Sequence, residues 1–277
     1  MNLSVKLLNL GCGASYHRSW INIDFVSTGP GVMAHNLLSG IPFPDHSFDA
    51  VYHSHVLEHF SREDAQFFIT ECHRVLKPGG ILRVVVPDLE GIVKCYLKKL
   101  EECLDGKPGA GDDYDWMLLE LFDQMVRRES GGRMTHYLVS GKNKEFVSDR
   151  IGNEATDLWQ SVNAPRKTMM ARLKKIGLSQ VIRRLKVGLA KSAVSLIGGK
   201  EFKESFKEGI FLNSGESHRW MYDRYSLHSL LEKSSLTDIR NCAADDSRIR
   251  NFNTFGLDVV NGVVRKPDSL FVEASKL

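Results

Sequence analysis

Long apolar runs are missing from this chain of 277 residues. It contains no stretch of about 18 uncharged apolar residues, so no transmembrane helix is predicted. Residues 1–9 also lack the charged, then apolar, then small-residue order of a secretory signal peptide. These absences predict a cytoplasmic protein, whose contact with the inner face of a membrane, if any, would be peripheral.

Cysteine is scarce and scattered. The chain has five cysteines, an odd number, and no CxxC pair. This distribution excludes a disulfide framework and a zinc ribbon. Reduced thiols are expected at Cys12, Cys72, Cys95, Cys103 and Cys242.

Charge is unevenly distributed. The composition, 42% hydrophobic and 26% charged, is typical of a folded globular protein. The net charge is +3, but residues 166–207 hold twelve Lys or Arg against two Glu, a local +10. The remaining residues therefore sum to 3 − 10, or −7. The positive charge belongs to one segment, and not to the fold as a whole.

The first ninety residues alternate between strand and helix patterns. Val5–Leu10 is a mostly apolar run that ends at Gly11-Cys12-Gly13, as a buried parallel strand does at a tight turn. Further strands are predicted at 20–24, 47–52 and 81–86, and a helix at 62–76 that ends at Lys77-Pro78-Gly79-Gly80. This alternation predicts an α/β fold with a parallel sheet and right-handed crossovers.

The pattern changes in the middle of the chain. Helical spacing predominates over 91–215, around Trp116 to Val126 and again over 146–159. The alternation of strand and helix patterns resumes near the end of the chain, with a predicted helix at 225–234 and predicted strands at 237–243 and 269–274. We therefore predict an α/β core formed by 1–90 and 216–277, with 91–215 as a mainly helical insert that forms an acceptor lid.

Gly11 and Gly13 end the first strand, and Asp24 ends the second. Glycine lets the backbone approach a ligand closely at the carboxyl edge of an open sheet, and an acid there accepts hydrogen bonds from a ribose diol. The alternative is that the glycines only form a turn and Asp24 caps a loop.

Five short sequence motifs occur in the same order as in the class I S-adenosylmethionine-dependent methyltransferases, and the chain resembles the group of them called type 11. The resemblance is strong over residues 5–90, looser over the final third and does not cover the insert. It implies a Rossmann-like, doubly wound sheet of about seven mostly parallel strands. The motifs are LNLGCG at 8–13, WINID at 20–24, IPFPDHSFD at 41–49, HVLEH at 55–59 and RVLKPGG at 74–80.

The resemblance also implies the cofactor S-adenosylmethionine, which leaves as S-adenosylhomocysteine. The family commonly has Asp where Asn36 stands, so an altered contact with the adenine is expected there. Only residues 14–20 separate the first two strands, so the first helix is expected to shrink to about a turn. By this resemblance the methionine moiety of the cofactor would face Gly11, Cys12 and Gly13, and the ribose would face Asp24. The adenine would lie against Asn36 and Leu37. The sulfonium would lie beside Ser54 and His55.

The HVLEH motif has a rival interpretation. Its HxxEH spacing is that of inverted zinc peptidases, in which two histidines bind the metal and the glutamate activates water. Such enzymes carry the motif within a long helix, whereas His55 directly follows a predicted strand. The sequence therefore predicts no metal.

Methylation of a hydroxyl needs a base, because the hydroxyl proton must leave as the new bond forms. His55 is nearest to the expected sulfonium, and Asp88, after the strand at 81–86, is the next candidate. His218 and His136 are candidates from the insert and its return. A structural or solvent-facing role is the alternative for each of them.

Residues 215–223 suggest the acceptor. They combine Trp220 and Tyr222 with acids, bases and His218, a mix that binds sugars by stacking and hydrogen bonding, or that forms an aromatic packing corner. Similar phrases occur in bacterial methyltransferases of surface-polysaccharide assembly. We therefore predict O-methylation of a sugar or glycan hydroxyl. N- or C-methylation of a small metabolite and a catalytically inactive accessory protein are the alternatives, and residues 265–269 are expected to be scaffold.

The basic segment 166–207 contains a helical apolar stripe. It fits a lid helix with a solvated basic face, or a helix that docks on anionic membrane. Nucleic acid is disfavoured because no recognised module and no interleaved aromatics accompany the charge. Oligomeric state is not indicated. The stripe consists of Leu178, Ile182, Leu185, Leu189, Ala193 and Leu196.

Overall fold

A central sheet organises the molecule. The computed structural model describes residues 5–152, 155–156, 159–160 and 178–277. Within these ranges seven strands form one sheet, in the order β3-β2-β1-β4-β5-β9-β6. These strands are β1 (Leu7–Leu10), β2 (Ile21–Asp24), β3 (Val32–Ala34), β4 (Phe48–Ser54), β5 (Leu76–Pro87), β6 (Thr237–Cys242) and β9 (Ser269–Ser275). A separate hairpin pairs β7 (Val259–Val260) with β8 (Val263–Val264).

Strand direction changes once across the sheet. Strands β1 to β5 are parallel to one another, and β9 runs antiparallel between β5 and β6. Because β9 is reversed, its first residues lie at the edge where the parallel strands end, with Ser269 opposite Pro87. That edge is where open α/β sheets bind ligands.

The described helices divide between the core and the insert. Helix α1 begins behind Ser61, whose hydroxyl accepts the Asp64 amide, and α7 begins with a capping box between Asp223 and Ser226. The helices are α1 (Arg62–Val75), α2 (Leu89–Leu104), α3 (Ala110–Val126), α4 (Gly132–Ser140), α5 (Lys144–Ile151), α6 (Leu178–Leu212) and α7 (Arg224–Lys233).

The two faces of the sheet are covered differently. Helices α1 and α7 bury one face, with Phe68, Ile69 and Leu227 fully buried in a shared core. The other face packs under Trp20, Tyr52 and residues of the connection from β6 to β9, including a 3-10 turn at Phe252–Phe255. Insert helices α2 to α5 bury a third cluster around Trp116 and Met117.

Buried Arg83 on β5 fastens that connection to the sheet. Its guanidinium donates to Asp258 at 2.8 Å and to Glu273 at 3.0 Å, and all three side chains are nearly or fully inaccessible. It also donates to the carbonyls of Ala243, Ala244 and Asp246. A buried charge of this kind needs its partners, so the connection and the two strands are held together.

The structure confirms the predicted α/β class and the mostly parallel seven-stranded sheet. It differs in detail, because β5 begins at Leu76 and includes the Pro78-Gly79-Gly80 segment that was expected to be a turn. Strand β3 and the β7–β8 hairpin were not predicted, and no helix lies between β1 and β2 in residues 11–20.

The basic segment is only partly described. Residues 166–177 lie outside the described residues, whereas α6 begins at Leu178 and side chains are described from Leu185 onward. No helix in the described ranges has both the length and the apolar content needed to cross a membrane.

Candidate functional site

The turn after β1 is shaped by two glycines. Gly11 and Gly13 adopt left-handed backbone with φ of 62° and 53°. A Cβ atom at Gly11 would lie 2.3 Å from Cγ2 of Val56, whereas one at Gly13 would meet nothing within 4 Å. Gly11 therefore permits close packing beneath the turn, and Gly13 leaves open space above it.

Asp24 holds this turn from the neighbouring strand. Its Oδ2 accepts the amide of Gly13 at 2.7 Å, and the hydroxyl of Thr28 donates to the Gly13 carbonyl. Burial and the Asp24 charge raise the pKa of the intervening Cys12 to about 11, so this thiol stays protonated at neutral pH.

A cleft of about 490 Å³, here called the glycine cleft, opens at this turn. Residues from four separate parts of the chain meet there. Its lining consists of Asn9, Gly11, Cys12, Gly13, Ala14, Ser15, Tyr52, Ser54, His55, Thr156, Arg265 and Lys266. The loop at 265–269, which was expected to be scaffold, contributes Arg265 and Lys266 to this lining, because the reversed β9 places the loop at the ligand edge of the sheet. The scaffold role stays a prediction.

His55 lies where the glycine cleft meets a second cavity. Its backbone is left-handed with φ of 54°, which is uncommon for a residue with a side chain. Its Nε2 lies 2.8 Å from Oγ of Ser269, and its Nδ1 lies 3.3 Å from Oε1 of Glu58. Burial, followed by nearby Lys266, holds the pKa of His55 well below its ordinary value, so the ring is neutral at neutral pH.

The second cavity, here called the histidine pocket, has a volume of about 420 Å³ and lies between the core and the insert. It shares His55 and Lys266 with the glycine cleft. Most of its lining side chains are polar. They are His55, Glu58, His59, Pro87, Ile92, Glu120, Gln124, Arg127, Ser130, Gly131, Met134, Thr135, Leu138, Ile151, Glu216, His218, Met221, Lys266 and Asp268.

Glu58, His59 and His218 form the innermost group of this pocket. The rings of His59 and His218 pack edge to face, with their centroids 4.9 Å apart. Nε2 of His218 lies 4.0 Å from Oε1 of Glu58. Burial lowers the pKa of His218 to about 2 and also lowers that of His59. Both imidazoles are therefore neutral at neutral pH, and burial makes them weaker bases than a solvent-exposed histidine.

One ligand atom from each of Glu58, His59 and His218 lies within 4.8 Å of the other two. This set could hold a metal ion, and it differs from the sequence motif because His218 replaces His55. The motif itself lies on a strand end and a 3-10 turn at Leu57–His59, and not within a long helix. The sequence-based expectation of no metal stays a prediction.

Several predicted site residues lie outside both cavities. Asn36 uses its side-chain oxygen to cap a 3-10 turn, and Leu37 is buried in the core beneath it. Asp88 stands at the start of α2, and His136 is an exposed residue of α4. Asp24 reaches the glycine cleft through its bond to Gly13. The roles given to these residues stay predictions.

The 215–223 segment divides between two surroundings. Glu216, His218 and Met221 line the histidine pocket. Trp220 instead lies against the Arg62 guanidinium at 4.9 Å, and Tyr222 is buried in the core. The two aromatics therefore lie outside the histidine pocket, and both line a separate cavity of about 550 Å³ with Arg62 and Tyr225. The stacking of a sugar on them stays a prediction.

Comparison with known proteins gives one consistent family. Residues 8–84 match the family model described as a methyltransferase domain. A protein of Mycolicibacterium smegmatis named as a probable S-adenosylmethionine-dependent methyltransferase is 43% identical over 99 residues, which cover 30% of this chain and 38% of that protein. A probable methyltransferase of Aspergillus luteorubrus is 43% identical over 58 residues, 20% of each chain.

The similarity is therefore local. The chain spans well under half the length of both curated relatives that it matches here. A crystal structure of an S-adenosylmethionine-dependent methyltransferase from Archaeoglobus fulgidus aligns with 99% of this chain and 87% of its own, at 11% identity and a TM-score of 0.39. That likeness is too distant to bear on function, and the fold assignment rests on the strand order.

Proposed function

We propose that this chain, whose residues 8–84 belong to the class I methyltransferase domain family, transfers a methyl group from S-adenosylmethionine to an acceptor in the histidine pocket. One observation carries the proposal. The glycine cleft and the histidine pocket adjoin, with His55 and Lys266 lining both. An acceptor in one cavity would thus face a cofactor in the other, and such orientation supplies much of the rate of a displacement reaction.

The residues of the glycine cleft fit this cofactor. The open space above Gly13 and the volume of about 490 Å³ accommodate a small molecule whose backbone contacts are close. Gly11, Cys12 and Gly13 would hold its methionine moiety and Asp24 its ribose, while Ser54 and His55 would lie beside the sulfonium. Asn36 and Leu37, the residues proposed for its adenine, lie outside the lining of the cleft, and Leu37 is buried in the core. Arg265 and Lys266 add positive charge suited to its carboxylate.

When bound, S-adenosylmethionine supplies an electrophilic methyl group on a sulfonium with a neutral leaving group. The chain's own contribution is to orient the acceptor, exclude water and remove a proton. His55 or His218 is the proposed base, because both line the histidine pocket with neutral rings. The Glu58 carboxylate behind both rings would stabilise the imidazolium formed there. Asp88 ranks below them, since it lines neither cavity.

The proposed acceptor is a sugar or glycan hydroxyl of the surface-polysaccharide type. Support comes from the pocket lining, in which carboxylates, an amide and hydroxyls outnumber apolar side chains. Side chains of this kind bind the several hydroxyls of a sugar through paired hydrogen bonds.

A second candidate is N-methylation of a small amine. Four carboxyl groups, Glu58, Glu120, Glu216 and Asp268, line the pocket against the cations Arg127 and Lys266. An excess of acids favours a cationic acceptor. C-methylation and a catalytically inactive accessory protein remain alternatives that the same experiments address.

The first experiment follows labelled methyl from S-adenosylmethionine into extract fractions of lipid-linked glycan, free glycan, small molecules, protein and RNA. Label in either glycan fraction supports the sugar proposal. Label confined to small amines favours the second candidate. Absence of label with retained cofactor binding would favour the accessory alternative.

Variants test the roles of the residues. Asp24→Ala should weaken cofactor binding and turnover together. His55→Ala and His218→Ala are each compared with His136→Ala, an exposed histidine of the insert as control. Loss of the base should slow turnover by about 10² to 10⁴. Near wild-type turnover in both pocket variants between about pH 6 and 9 would exclude both histidines as the base.

A further inference from the structure

We propose that the first part of α6 docks the protein on an anionic lipid surface. The observation behind this is a line of large apolar side chains that no other described element covers. Leu185, Leu189, Leu196 and Ile197 are 62%, 72%, 88% and 88% exposed. We call Leu185, Leu189 and Leu196 the leucine stripe; Ile197 lies beside it, about 100° around the helix from Leu196.

The leucine stripe is one face of a helix. Leu185, Leu189 and Leu196 are four and seven residues apart, so their side chains lie in a row along α6. Val187 and Val194, on the opposite side, are half-buried. A row of exposed leucines of this kind is rare on a monomeric surface and marks a site of interaction.

Charge identifies the partner. From 185 to 200 the sequence has three lysines and neither Asp nor Glu. Lys186 and Lys200 are exposed beside the stripe. An apolar row flanked by cations matches a helix lying in the interface of an anionic bilayer, where the leucines enter the acyl boundary and the cations meet the headgroups.

Two other occupants match this surface less well. A second copy of α6 would bring one acid-free cationic stretch against another, and like charges repel. Nucleic acid would satisfy the cations, but its phosphates offer nothing to the leucines, which would remain in water. A bilayer satisfies both features at once.

The remainder of α6 would orient the docked protein. The helix changes direction at Gly199, whose φ of 73° and ψ of −161° are not helical. Beyond this point Glu208 forms an exposed ion pair at 3.2 Å with Arg128, which follows α3. A groove of about 1040 Å³ runs there past exposed Phe122 and Val126, and Arg127 lines both this groove and the histidine pocket.

This geometry bears on the acceptor. A glycan carried on a lipid would present its sugar to the histidine pocket while its chain stays near the groove and the bilayer. That extension rests on the proposed function, whereas docking itself does not. Vesicle binding is measured without cofactor or acceptor, so its failure would leave methyl transfer untouched.

The experiment is flotation of the full chain with vesicles of phosphatidylcholine, with and without phosphatidylglycerol. We expect binding to the anionic vesicles only, and its loss when salt rises from about 0.1 M to about 1 M and the screening length falls from about 10 to 3 Å. The double variant Leu189→Ser with Leu196→Ser should bind more weakly by about tenfold for each leucine. Lys186→Gln should bind about fivefold more weakly.

Matched controls separate the stripe from general surface effects. Leu104→Ser removes a leucine that is 73% exposed at the end of α2, and Lys233→Gln removes an exposed lysine of α7. Both should bind like the unaltered chain. No flotation with anionic vesicles, or equal flotation of the stripe variant, would overturn the proposal. So would a vesicle-free dimer that the stripe variant dissociates, because a second copy would then cover the stripe.

Discussion

Gly11 and Gly13 have different roles in the turn after β1. An alanine at Gly11 would combine left-handed strain, about 1 to 2 kcal/mol, with overpacking against buried Val56, about 1 to 3 kcal/mol. We expect Gly11→Ala to lower the free energy of unfolding by about 2 to 5 kcal/mol. Urea denaturation measures this directly.

Gly13→Ala is the matched comparison. Its methyl group meets open space, so only the backbone strain of about 1 to 2 kcal/mol should appear in the free energy of unfolding. The same methyl group projects into the glycine cleft, and cofactor affinity measured by calorimetry should therefore fall more than stability does. Equal destabilisation by the two variants would contradict the packing described for Gly11.

At the scale of elements, Arg83 connects β5 to β9 and to the connection that covers one face of the sheet. Arg83→Met would leave the Asp258 carboxylate buried without its cation, while Glu273 would keep Arg240 and Arg248, and we expect a loss of about 3 to 5 kcal/mol in the free energy of unfolding. Arg240→Met is the control. Arg240 also bonds Glu273 but is 34% exposed, so its loss should cost no more than about 1 kcal/mol. Similar costs for both variants would show that burial of the Arg83 network is not decisive.

The sequence predicted the strands that are continuous apolar runs and the helices with a clear apolar period. Val5–Leu10 and the helix after Ser61 are examples. A strand buried on both faces is a continuous apolar run, and a helix buried on one face has apolar residues at a helical period. Strand β3 escaped prediction since it has three residues, of which only Val32 is buried. The Pro78-Gly79-Gly80 segment has the composition of a turn, but it extends β5, with Pro78 and Gly79 exposed and Gly80 buried.

The site was predictable only where its residues are close in sequence. Glycines at the end of one strand and an acid at the end of the next indicate the ligand-binding edge of the sheet, and both signals are local in the sequence. Lys266 carries no such local signal. It reaches the glycine cleft because β9 runs antiparallel, and strand direction is a property of the assembled sheet. His218 was a candidate from the residues around it, but its place beside Glu58 depends on the return of the chain from the long insert.

At the scale of the whole molecule, buried histidines couple stability to pH. Burial lowers the pKa of His53 to about 3 and that of His218 to about 2, and it also lowers that of His55. Below about pH 6.5 these histidines bind protons in the unfolded chain but stay unprotonated in the folded protein. The free energy of unfolding therefore decreases as the pH falls. Each such histidine contributes up to about 1.4 kcal/mol per pH unit.

His53→Leu isolates one of these contributions. His53 is fully buried, and neither ring nitrogen has a hydrogen-bond partner among the described residues. We expect the variant to lose stability less steeply between about pH 6 and 4, by about 1.4 kcal/mol per pH unit, in urea titrations at several pH values. His136→Leu, at an exposed position, should leave the slope unchanged. Parallel slopes for His53→Leu and the unaltered chain would mean that His53 is protonated in the folded protein.

The place of β9 has a consequence for the order in which the molecule can be made. Strand β9 fills the gap between β5 and β6, and the pairing of β6 in the sheet is with β9 alone. During synthesis, β5 therefore emerges from the ribosome with one edge exposed, and it stays so while the whole insert is translated. Exposed strand edges recruit other chains. A nascent chain stalled before residue 269 should be a preferred client of chaperones, and release of that hold should coincide with translation of residues 269–275.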